Sequence, residues 1–393
     1  MKVCFVCNEY PDGPHGGIGT VSQLLAEGLI VLGHEVKVIG VYSSLYGHIQ
    51  HEIKNGVEVH RILVNQNSKF SSFYGYWKVS MKIKKWINNK SVDVIECPDS
   101  YGTLAYFANF NRPLILRAHG NNTYFANILG NYVSEKTKKY ETSLYRKSDA
   151  VCAVSKYTGD KMKQLMGYDR EIHVIYNGID IGDIDEAIKG INQVNQRKCC
   201  DVVYSGTLIK KKGVYELIDA MVLLLEKGLE VSIAINGKDT INPATGVSVK
   251  TELINIIPKQ FHQNFTFNGH VTRNELFSQL KNCKLAVFPS HAEAFAMAPL
   301  EAMAMSIPTV YSNQTSGNEL IDDFKDGIII EPKSSKSIAD AIEYLISNPE
   351  KAEVIGKNAR LKVELMFTKQ IMINNTIDFY DKVYTAFHNS RTV

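Results

Sequence analysis

The hydrophobic residues of this 393-residue chain occur in short β-branched runs that alternate with helix-patterned segments. Such runs include Lys2–Cys7, Val36–Val41 and Leu114–Arg117, and a second series extends from Asp201–Tyr204 to Ile328–Ile330. Strands that alternate with amphipathic helices favour a parallel sheet covered by helices on both faces. The pattern therefore predicts an α/β protein with two doubly wound, Rossmann-like, parallel-sheet domains that face each other across a cleft.

A polar link from Gly178 to Arg197 separates the two series. We place the first domain at residues 1–178 and the second at 179–366, and the chain length agrees with two cores rather than one. Residues 367–393 include an amphipathic stretch from about Thr368 to Phe387. We expect it to form a C-terminal helix that packs back toward the first domain.

Composition and charge limit the class of protein. Hydrophobic residues make up 45% of the chain and charged residues 22%, as in globular proteins, and no apolar run has the length of a membrane span. The seven cysteines are odd in number and lack the spacing of a disulfide framework, so we expect reduced thiols and a cytoplasmic protein.

The charge is unevenly divided along the chain. Residues 1–177 contain 21 Lys and Arg against 15 Asp and Glu, whereas the rest contains 23 against 26. The basic first half predicts an anionic partner such as a membrane surface, a phosphorylated carrier or an acidic glycan. Nucleic acid is not expected, because the pI of about 8.3 is modest and no nucleic-acid-binding motif is present.

A cluster of glycines, Gly13, Gly16, Gly17 and Gly19, follows the first predicted strand. Glycines between a strand and a helix let the backbone approach a phosphate or a sugar, and a helix N-terminus favours negative charge. The spacing is not that of a dinucleotide-binding loop, which argues against a nicotinamide enzyme. Taken alone, the cluster also fits a plain tight turn.

A second candidate site lies at residues 289–304, where the sequence reads PSHAEAFAMAPLEAMA. A strand, a loop of small residues and a helix follow one another, and the free N–H groups of the helix suit a pyrophosphate. With Pro299 at the first helical position, Glu301 falls in the first turn, where it can bind two ribose hydroxyls. Glu293 can bind hydroxyls of a sugar. An ordinary loop glutamate and a solvated helix glutamate are the alternative interpretation.

This segment resembles the E-x7-E signature of the retaining glycosyltransferases of family 4, which have the GT-B fold. The family pattern usually reads P-S-x-x-E-G-F-G-x-x-x-x-E-A-M-A. Further landmarks follow in the family's order over nearly the whole chain, and the ordered set is what makes the resemblance specific. They are Gly16–Gly19, Arg117–Gly120, Val154–Ser155, Val174–Asp180, Ser205–Leu208, Lys212–Gly213, Phe267–Gly269 and Ser316–Leu320.

The resemblance implies a role for each matching residue. Glu301 would bind the nucleotide ribose, Glu293 the donor hexose, and Lys212 would neutralise the diphosphate leaving group. His119 would lie beside the anomeric carbon, so the catalytic residues are expected to be His119, Glu293 and Lys212. Other expected donor contacts are Gly16, Gly17, Gly206, Thr207, Phe295, Ala296, Met297 and Ala298. The family uses no metal, and we expect neither a metal site nor a cofactor.

Two departures from the family pattern affect this site. The family usually has Arg where this chain has Thr207, and that Arg shares the diphosphate with the Lys. Lys210 and Lys211 are candidates to compensate for it, although a solvated basic turn is the alternative. The family glycines on either side of Phe295 are Ala294 and Ala296 here, which is tolerable unless those positions need positive φ.

The segment Phe73–Lys90 combines lysines at helical spacing with a stripe of Val79, Ile83 and Trp86, preceded by four aromatic residues. A basic amphipathic helix of this type suits the surface of an anionic membrane. The alternative is an ordinary surface helix that packs Ile83 and Trp86 on its own domain.

The sequence thus predicts a retaining, metal-independent hexosyltransferase. The second domain would bind a UDP- or GDP-sugar, and the first would bind a glycan or lipid-linked acceptor. The expected setting is bacterial surface polysaccharide synthesis, in the cytoplasm or at the inner face of the membrane. The alternatives are a nucleotide-sugar epimerase of the same fold and a degenerate subunit that binds the nucleotide sugar without turnover.

Overall fold

The computed structural model describes residues 1–13, 15–47, 49–65, 70–191 and 200–391. The chain divides into two compact units, one of Met1–Gly178 with Lys369–Val393 and the other of Ile179–Thr368. The predicted polar link is in part a helix, Ile181–Gly190, that belongs to the second unit, and its residues 192–197 lie outside the described ranges.

Fourteen β-strands occur in the described residues, and twelve of them coincide with the predicted runs. The strands are β1 Lys2–Val6, β2 Glu35–Ser43, β3 His51–Lys54, β4 Val57–Val64, β5 Val94–Pro98, β6 Leu114–Ala118, β7 Ala150–Ala153, β8 Ile172–Val174, β9 Val202–Ser205, β10 Ile233–Asn236, β11 Phe265–Gly269, β12 Leu285–Phe288, β13 Thr309–Ser312 and β14 Ile328–Ile330.

The described residues also form fourteen α-helices, and most of them connect successive parallel strands. The helices are α1 Gly17–Val31, α2 Ser71–Asn88, α3 Asn122–Leu129, α4 Glu135–Lys147, α5 Lys156–Met166, α6 Ile181–Gly190, α7 Val214–Glu226, α8 Val249–Ile256, α9 Arg273–Lys281, α10 Met297–Ala304, α11 Gly317–Leu320, α12 Ser335–Ser347, α13 Pro349–Met366 and α14 Lys369–Asn389.

The sheet of the first unit has the order β3-β4-β2-β1-β5-β6-β7-β8. The chain starts at β1, builds outward through β2 to β4, and then returns to β5 on the other side of β1. All neighbours are parallel except β3 and β4, which form an antiparallel hairpin. The expected parallel arrangement thus holds for every neighbouring pair except this edge, where β3 is only four residues long and mostly polar and lacks the apolar run of a buried strand.

Helix α14 completes the first unit. Its Tyr380 hydroxyl donates to Glu96 at 2.6 Å, and Glu96 forms a two-point ion pair with Arg117 at 2.9 and 3.0 Å. Ile373 of the same helix occupies the space beside Gly28 of α1, where an added Cβ would lie 2.1 Å from the Ile373 side chain. The buried charges on β5 and β6 are thus paired with each other and with the helix that returns from the end of the chain.

The sheet of the second unit is wholly parallel, with the order β11-β10-β9-β12-β13-β14. The chain starts at β9, builds through β10 to β11, and then returns to place β12 on the other side of β9. The gap between the loops that follow β9 and β12 is the topological switch point of this sheet. Ligands of open α/β sheets bind at such a point, outside the carboxyl ends of the strands.

Helix α2 contains the basic segment that the sequence marks as a candidate membrane helix. Its predicted stripe of Val79, Ile83 and Trp86 is buried in the core of the first unit. The exposed apolar residues lie on another face, at Phe73, Tyr74, Trp77 and Met81. Among the described residues, no helix has the length and hydropathy that crossing a bilayer would require.

Candidate functional site

The loops that follow β9 and β12 carry Lys212 and Glu293, and they meet at the switch point of the second sheet. Gly213 makes their close approach possible, because its φ is +68° and an added Cβ would lie 1.8 Å from the carbonyl oxygen of Pro289. The backbone N–H of His291 donates to the carbonyl oxygen of Lys211 at 2.8 Å. The two loops are therefore joined directly through their backbones.

Lys212 and Glu293 form an ion pair at the centre of this junction. Burial raises the pKa of Glu293, but the charges of Lys212 and Lys211 outweigh it and hold that pKa below its usual value. The pKa of Lys211 is lowered, because burial and the neighbouring Lys212 outweigh the attraction of Glu293. The site thus holds one ionised carboxylate beside two lysines, so a bound diphosphate would meet positive charge.

The backbone of Glu293 is held by the segment that follows β13. The N–H of Glu293 donates to the Thr315 hydroxyl at 3.3 Å, and Thr315 has a left-handed φ of +60°. Gly317, two residues later, lies so close to β13 that an added Cβ would be 1.8 Å from the Ser312 carbonyl oxygen. The third loop, which contains the predicted landmark Ser316–Leu320, therefore supports the position of Glu293.

Glu301 lies on α10, but its position in the helix corrects the sequence analysis. The helix begins at Met297, so Pro299 is the third residue and Glu301 is one position beyond the first turn. Burial raises the pKa of Glu301 to about 7, with Arg273 opposing the rise and Asp183 adding to it. This carboxyl can therefore lose its proton near neutral pH, and the sequence pattern gave no sign of either charged neighbour.

The backbone of the loop before α10 has φ angles that alanine can adopt at positions 294 and 296. Ala296 is the N-cap residue with φ −79°, and Ala294 is not among the residues with positive φ. The replacement of the family's glycines by alanines therefore introduces no left-handed strain. The side chain of Phe295 is buried against Phe367, with ring centroids 5.5 Å apart, so only its backbone is available to a ligand. Met297 and Ala298 open the helix, and no side chain caps it.

The loop after β9 places Gly206 and Thr207 at the mouth of the same site. Thr207 is exposed. Gly206 packs against Gly237, where an added Cβ would lie 1.8 Å from the carbonyl oxygen of Gly206. Of the two candidate compensating lysines, Lys211 is close enough to influence Glu293, whereas Lys210 acts on Glu216 instead. The sequence could not distinguish these adjacent lysines.

His119 lies in the first unit, in the loop that follows β6. Its backbone N–H donates to Asp99 at 3.0 Å, and the other oxygen of Asp99 accepts from the Tyr145 hydroxyl at 3.2 Å. Burial and the charge of Arg117 lower the pKa of His119 to about 3, so the imidazole is neutral at physiological pH. Burial raises the pKa of Asp99 to about 7. Sequence analysis missed Asp99, although its place directly after β5 was a usable signal.

Gly16 and Gly17 are exposed at the start of α1, where Gly16 is the N-cap residue. An added Cβ at Gly17 would meet no atom within 4 Å, so this backbone is open to approach. Gly19 is different, because its Cβ would lie 2.1 Å from the carbonyl oxygen of Glu9. The carboxylate of Glu9 accepts from the Gly19 N–H at 2.9 Å and thus supplies a negative charge to this helix end.

Comparisons with known proteins identify the family of the chain. Residues 187–362 match the family described as "Glycosyl transferases group 1", and residues 15–183 match "Glycosyltransferase Family 4". An uncharacterised glycosyltransferase of Methanocaldococcus jannaschii is 26% identical over 97% of this chain and 98% of its own length. The capsular polysaccharide biosynthesis glycosyltransferase CapM of Staphylococcus aureus is 30% identical over 45% of each chain.

Solved structures show the same fold. Sucrose-phosphate synthase of Thermosynechococcus elongatus superposes with a TM-score of 0.81 at 17% identity, covering 98% of this chain and 99% of its own. The Anabaena protein HepE, solved in complex with UDP-glucose, superposes with a TM-score of 0.75 at 18% identity, covering 97% of this chain and all of its own. The predicted fold class is confirmed, and the chain belongs to the group 1 glycosyltransferases of family 4, with the GT-B fold and relatives in bacterial polysaccharide synthesis.

Proposed function

We propose that this protein is a retaining hexosyltransferase that uses a nucleoside-diphosphate sugar as donor and a glycan or lipid-linked acceptor in polysaccharide synthesis. The observation that carries the proposal is the meeting of Lys212 with Glu293 at the switch point of the second sheet. A cation for the diphosphate and a carboxylate for the sugar are adjacent there, at the end of the sheet where ligands of this fold class bind.

The donor half of the reaction uses five features of the second unit. Lys212 stabilises the negative charge that grows on the diphosphate as it leaves, and the N–H groups at the start of α10 donate to its oxygens. Glu293 accepts hydrogen bonds from hydroxyls of the hexose, and Glu301 accepts from hydroxyls of the ribose. The backbone of Gly206, Thr207 and 295–298 surrounds the donor.

The chemical step breaks the bond between the anomeric carbon and the phosphate oxygen. The acceptor hydroxyl forms the new bond on the same face of the sugar, and its proton passes to the departing phosphate oxygen. The configuration is retained without a protein nucleophile. His119 stabilises the positive charge that develops on the sugar ring, and its neutral imidazole adds no opposing charge.

Lys211 replaces the arginine that the family usually has at the position of Thr207. The charges of Lys211 and Lys212 both lower the pKa of Glu293, so the two lysines act on the same carboxylate. Two lysines give the leaving diphosphate the charge that a divalent cation supplies in other transferases, and we propose that the reaction needs no metal. Addition of EDTA should therefore leave the turnover rate unchanged, and addition of Mg²⁺ should not raise it.

The donor is tested first by binding. UDP-, GDP- and ADP-sugars are screened by thermal shift against wild type and Glu301→Ala. A ligand at about 100 times its Kd stabilises the fold by roughly 2.7 kcal/mol, which is a readable shift. UDP-glucose is the first probe, because HepE was solved with it. A shift in wild type that the variant loses supports the donor site, and no shift with any nucleotide sugar contradicts it.

Turnover then separates the enzyme classes. Product that forms only when a glycan or lipid-linked acceptor is present, with the anomeric configuration of the donor by NMR, supports the retaining transferase. Conversion of the donor in the absence of acceptor identifies an epimerase. Binding of the donor without any turnover, with every class of acceptor, identifies a binding subunit.

We also propose that the protein works in the cytoplasm at the inner face of the membrane. The described cysteines are free thiols, as expected in a reducing compartment. On α2, Phe73, Tyr74 and Trp77 are each nearly half-exposed, and the Lys78 ammonium lies 4.5 Å from the Tyr74 ring centroid. Aromatic rings beside lysines suit the headgroup region of an anionic bilayer.

Vesicle sedimentation tests this placement. We expect wild type to bind vesicles that contain phosphatidylglycerol and not vesicles of phosphatidylcholine alone. Trp77→Ser should lose most of the binding, whereas Trp86→Phe, a change at a buried ring of the same helix, should keep it. Equal sedimentation of wild type with both vesicle types would contradict the proposal.

A further inference from the structure

The edge hairpin of the first sheet brings together two histidines and a glutamate that are separated in sequence. Strands β3 and β4 are joined by Asn55 and Gly56, both with positive φ, and their antiparallel register pairs His51 with His60. Glu58 lies two residues before His60 on the same strand, so all three side chains are on one face. Sequence spacing does not reveal this cluster, because the two histidines are nine positions apart.

The three side chains converge on one point. The imidazole Nε2 of His60 lies 2.6 Å from Oε1 of Glu58, and the Nε2 of His51 lies 3.6 Å from the same oxygen. The two rings are stacked with centroids 4.2 Å apart and an angle of 16° between their planes. One ligand atom from each of the three residues lies within 4.8 Å of the others.

The surroundings hold two of the three groups in place. The other carboxylate oxygen, Oε2 of Glu58, is bound by the ammonium group of Lys37 on β2, so Oε1 is the oxygen that faces the histidines. The His60 ring packs against Trp86 of α2, with centroids 4.9 Å apart, and its side chain is only 12% exposed. The His51 side chain is 55% exposed, so the cluster is open to solvent on that side.

We propose that His51, Glu58 and His60 form a binding site for a divalent transition-metal ion of the Zn²⁺ class. Two imidazole nitrogens and one carboxylate oxygen, with an open side for water, are the ligand set of three-residue zinc sites. Mg²⁺ and Ca²⁺ prefer oxygen ligands throughout and should not compete. On binding, the ion takes the place of the proton between His60 Nε2 and Glu58 Oε1, and the neutral imidazole then carries its single ring proton on Nδ1, so no net proton is released.

The charges around the site determine its affinity for a cation. Lys37 orients Glu58 as an outer-shell partner, but its ammonium group and that of Lys82, 5.4 Å from the Trp86 ring centroid, both oppose a cation. We therefore expect reversible binding rather than a permanently occupied site. An ion here would link β3 to β4 and so fasten the outermost strand of the sheet. The site lies within the first unit and does not depend on the proposed transferase reaction.

The test uses the full chain, freed of any histidine tag and of metal by EDTA and dialysis. Titration with Zn²⁺ by calorimetry is compared for wild type, His51→Ala and His270→Ala, the last being a control at an exposed histidine of the second unit. His51 is exposed, so its replacement should leave the circular dichroism spectrum unchanged. We expect His51→Ala to weaken the strongest Zn²⁺ binding by at least about tenfold and His270→Ala to leave it unaltered.

Co²⁺ gives a second, spectroscopic measurement. Wild type should develop the visible ligand-field absorption of a low-coordinate nitrogen and oxygen site, and Glu58→Gln should lose it. Addition of Mg²⁺ should not displace Co²⁺. The proposal is overturned if wild type shows no saturable Zn²⁺ binding, or if His51→Ala binds Zn²⁺ as tightly as wild type does.

Discussion

Glu301 offers a test in which stability and ligand binding should change in opposite directions. Burial raises its pKa from 4.5 to about 7, so the folded protein holds this proton more tightly than the unfolded chain does. The raised pKa therefore costs stability progressively as the pH rises from about 4.5 to 7, and the full cost is present above 7. The binding affinity of a ligand that needs the ionised carboxylate rises with pH over the same range.

The magnitude follows from the size of the shift. Removal of the ionisable group by Glu301→Gln should raise the free energy of unfolding by about 1 kcal/mol at pH 5.5 and by about 3 kcal/mol at pH 8. The wild-type affinity for the donor should fall about tenfold between pH 8 and pH 6, because only about a tenth of Glu301 is ionised at pH 6. In the variant, the affinity should be weaker and should not vary with pH.

The assay must report on the second unit. Both tryptophans, Trp77 and Trp86, lie in the first unit, so urea unfolding is followed by far-UV circular dichroism, with tryptophan fluorescence used to identify the transition of the first unit. Donor affinity is measured by calorimetry with the intact nucleotide sugar, whose diphosphate diester does not titrate in this range. Glu186→Gln, a change at an exposed glutamate of α6, is the matched control.

Two results would refute the reasoning about Glu301. If Glu301→Gln is no more stable than wild type at pH 8, burial does not raise the pKa of this carboxyl. If the variant binds the donor as tightly as wild type across the pH range, Glu301 does not contact the ribose. A more stable variant with weaker, pH-independent binding is the expected outcome.

Three further predictions concern the neighbouring residues. Lys212→Met should lower kcat by roughly 10² to 10³, because it removes a charge from the leaving group, and Lys211→Met should lower it less; equal activity of both variants and wild type in the transferase assay would exclude this role. Gly213→Ala should destabilise the second unit, since its Cβ would overlap the Pro289 carbonyl oxygen and its φ is +68°; an unchanged urea midpoint would contradict the observed packing. Asp99→Ala should lower kcat with little change in the donor KM, because it removes the carboxylate oxygen that accepts from the His119 backbone N–H; a larger effect on KM than on kcat would argue against that role.

The local sequence determines most of the secondary structure. Apolar runs such as Leu285–Phe288 are short, continuous and fully buried, so run length and the flanking residues indicate a strand without any knowledge of its neighbours. Strand β3 escaped detection because it is only four residues long at a sheet edge, where His51 and Ile53 are exposed and burial does not impose a pattern. The alternation of buried and partly buried residues along β4 was a usable signal that the sequence analysis missed. The start of α10 was misplaced by two residues, because proline is tolerated throughout the first helical turn.

The fold class and the residues that resemble the family's site could be predicted from the sequence alone, because both are properties of short segments in a fixed order. The folded structure was needed to show that Lys211 rather than Lys210 influences the pKa of Glu293, that the pKa of Glu301 is raised, and that the apolar stripe of α2 is core. The physical reason is the same in each case. Burial, charge proximity and strand register depend on residues far apart in the chain, and no local pattern records which of them will meet.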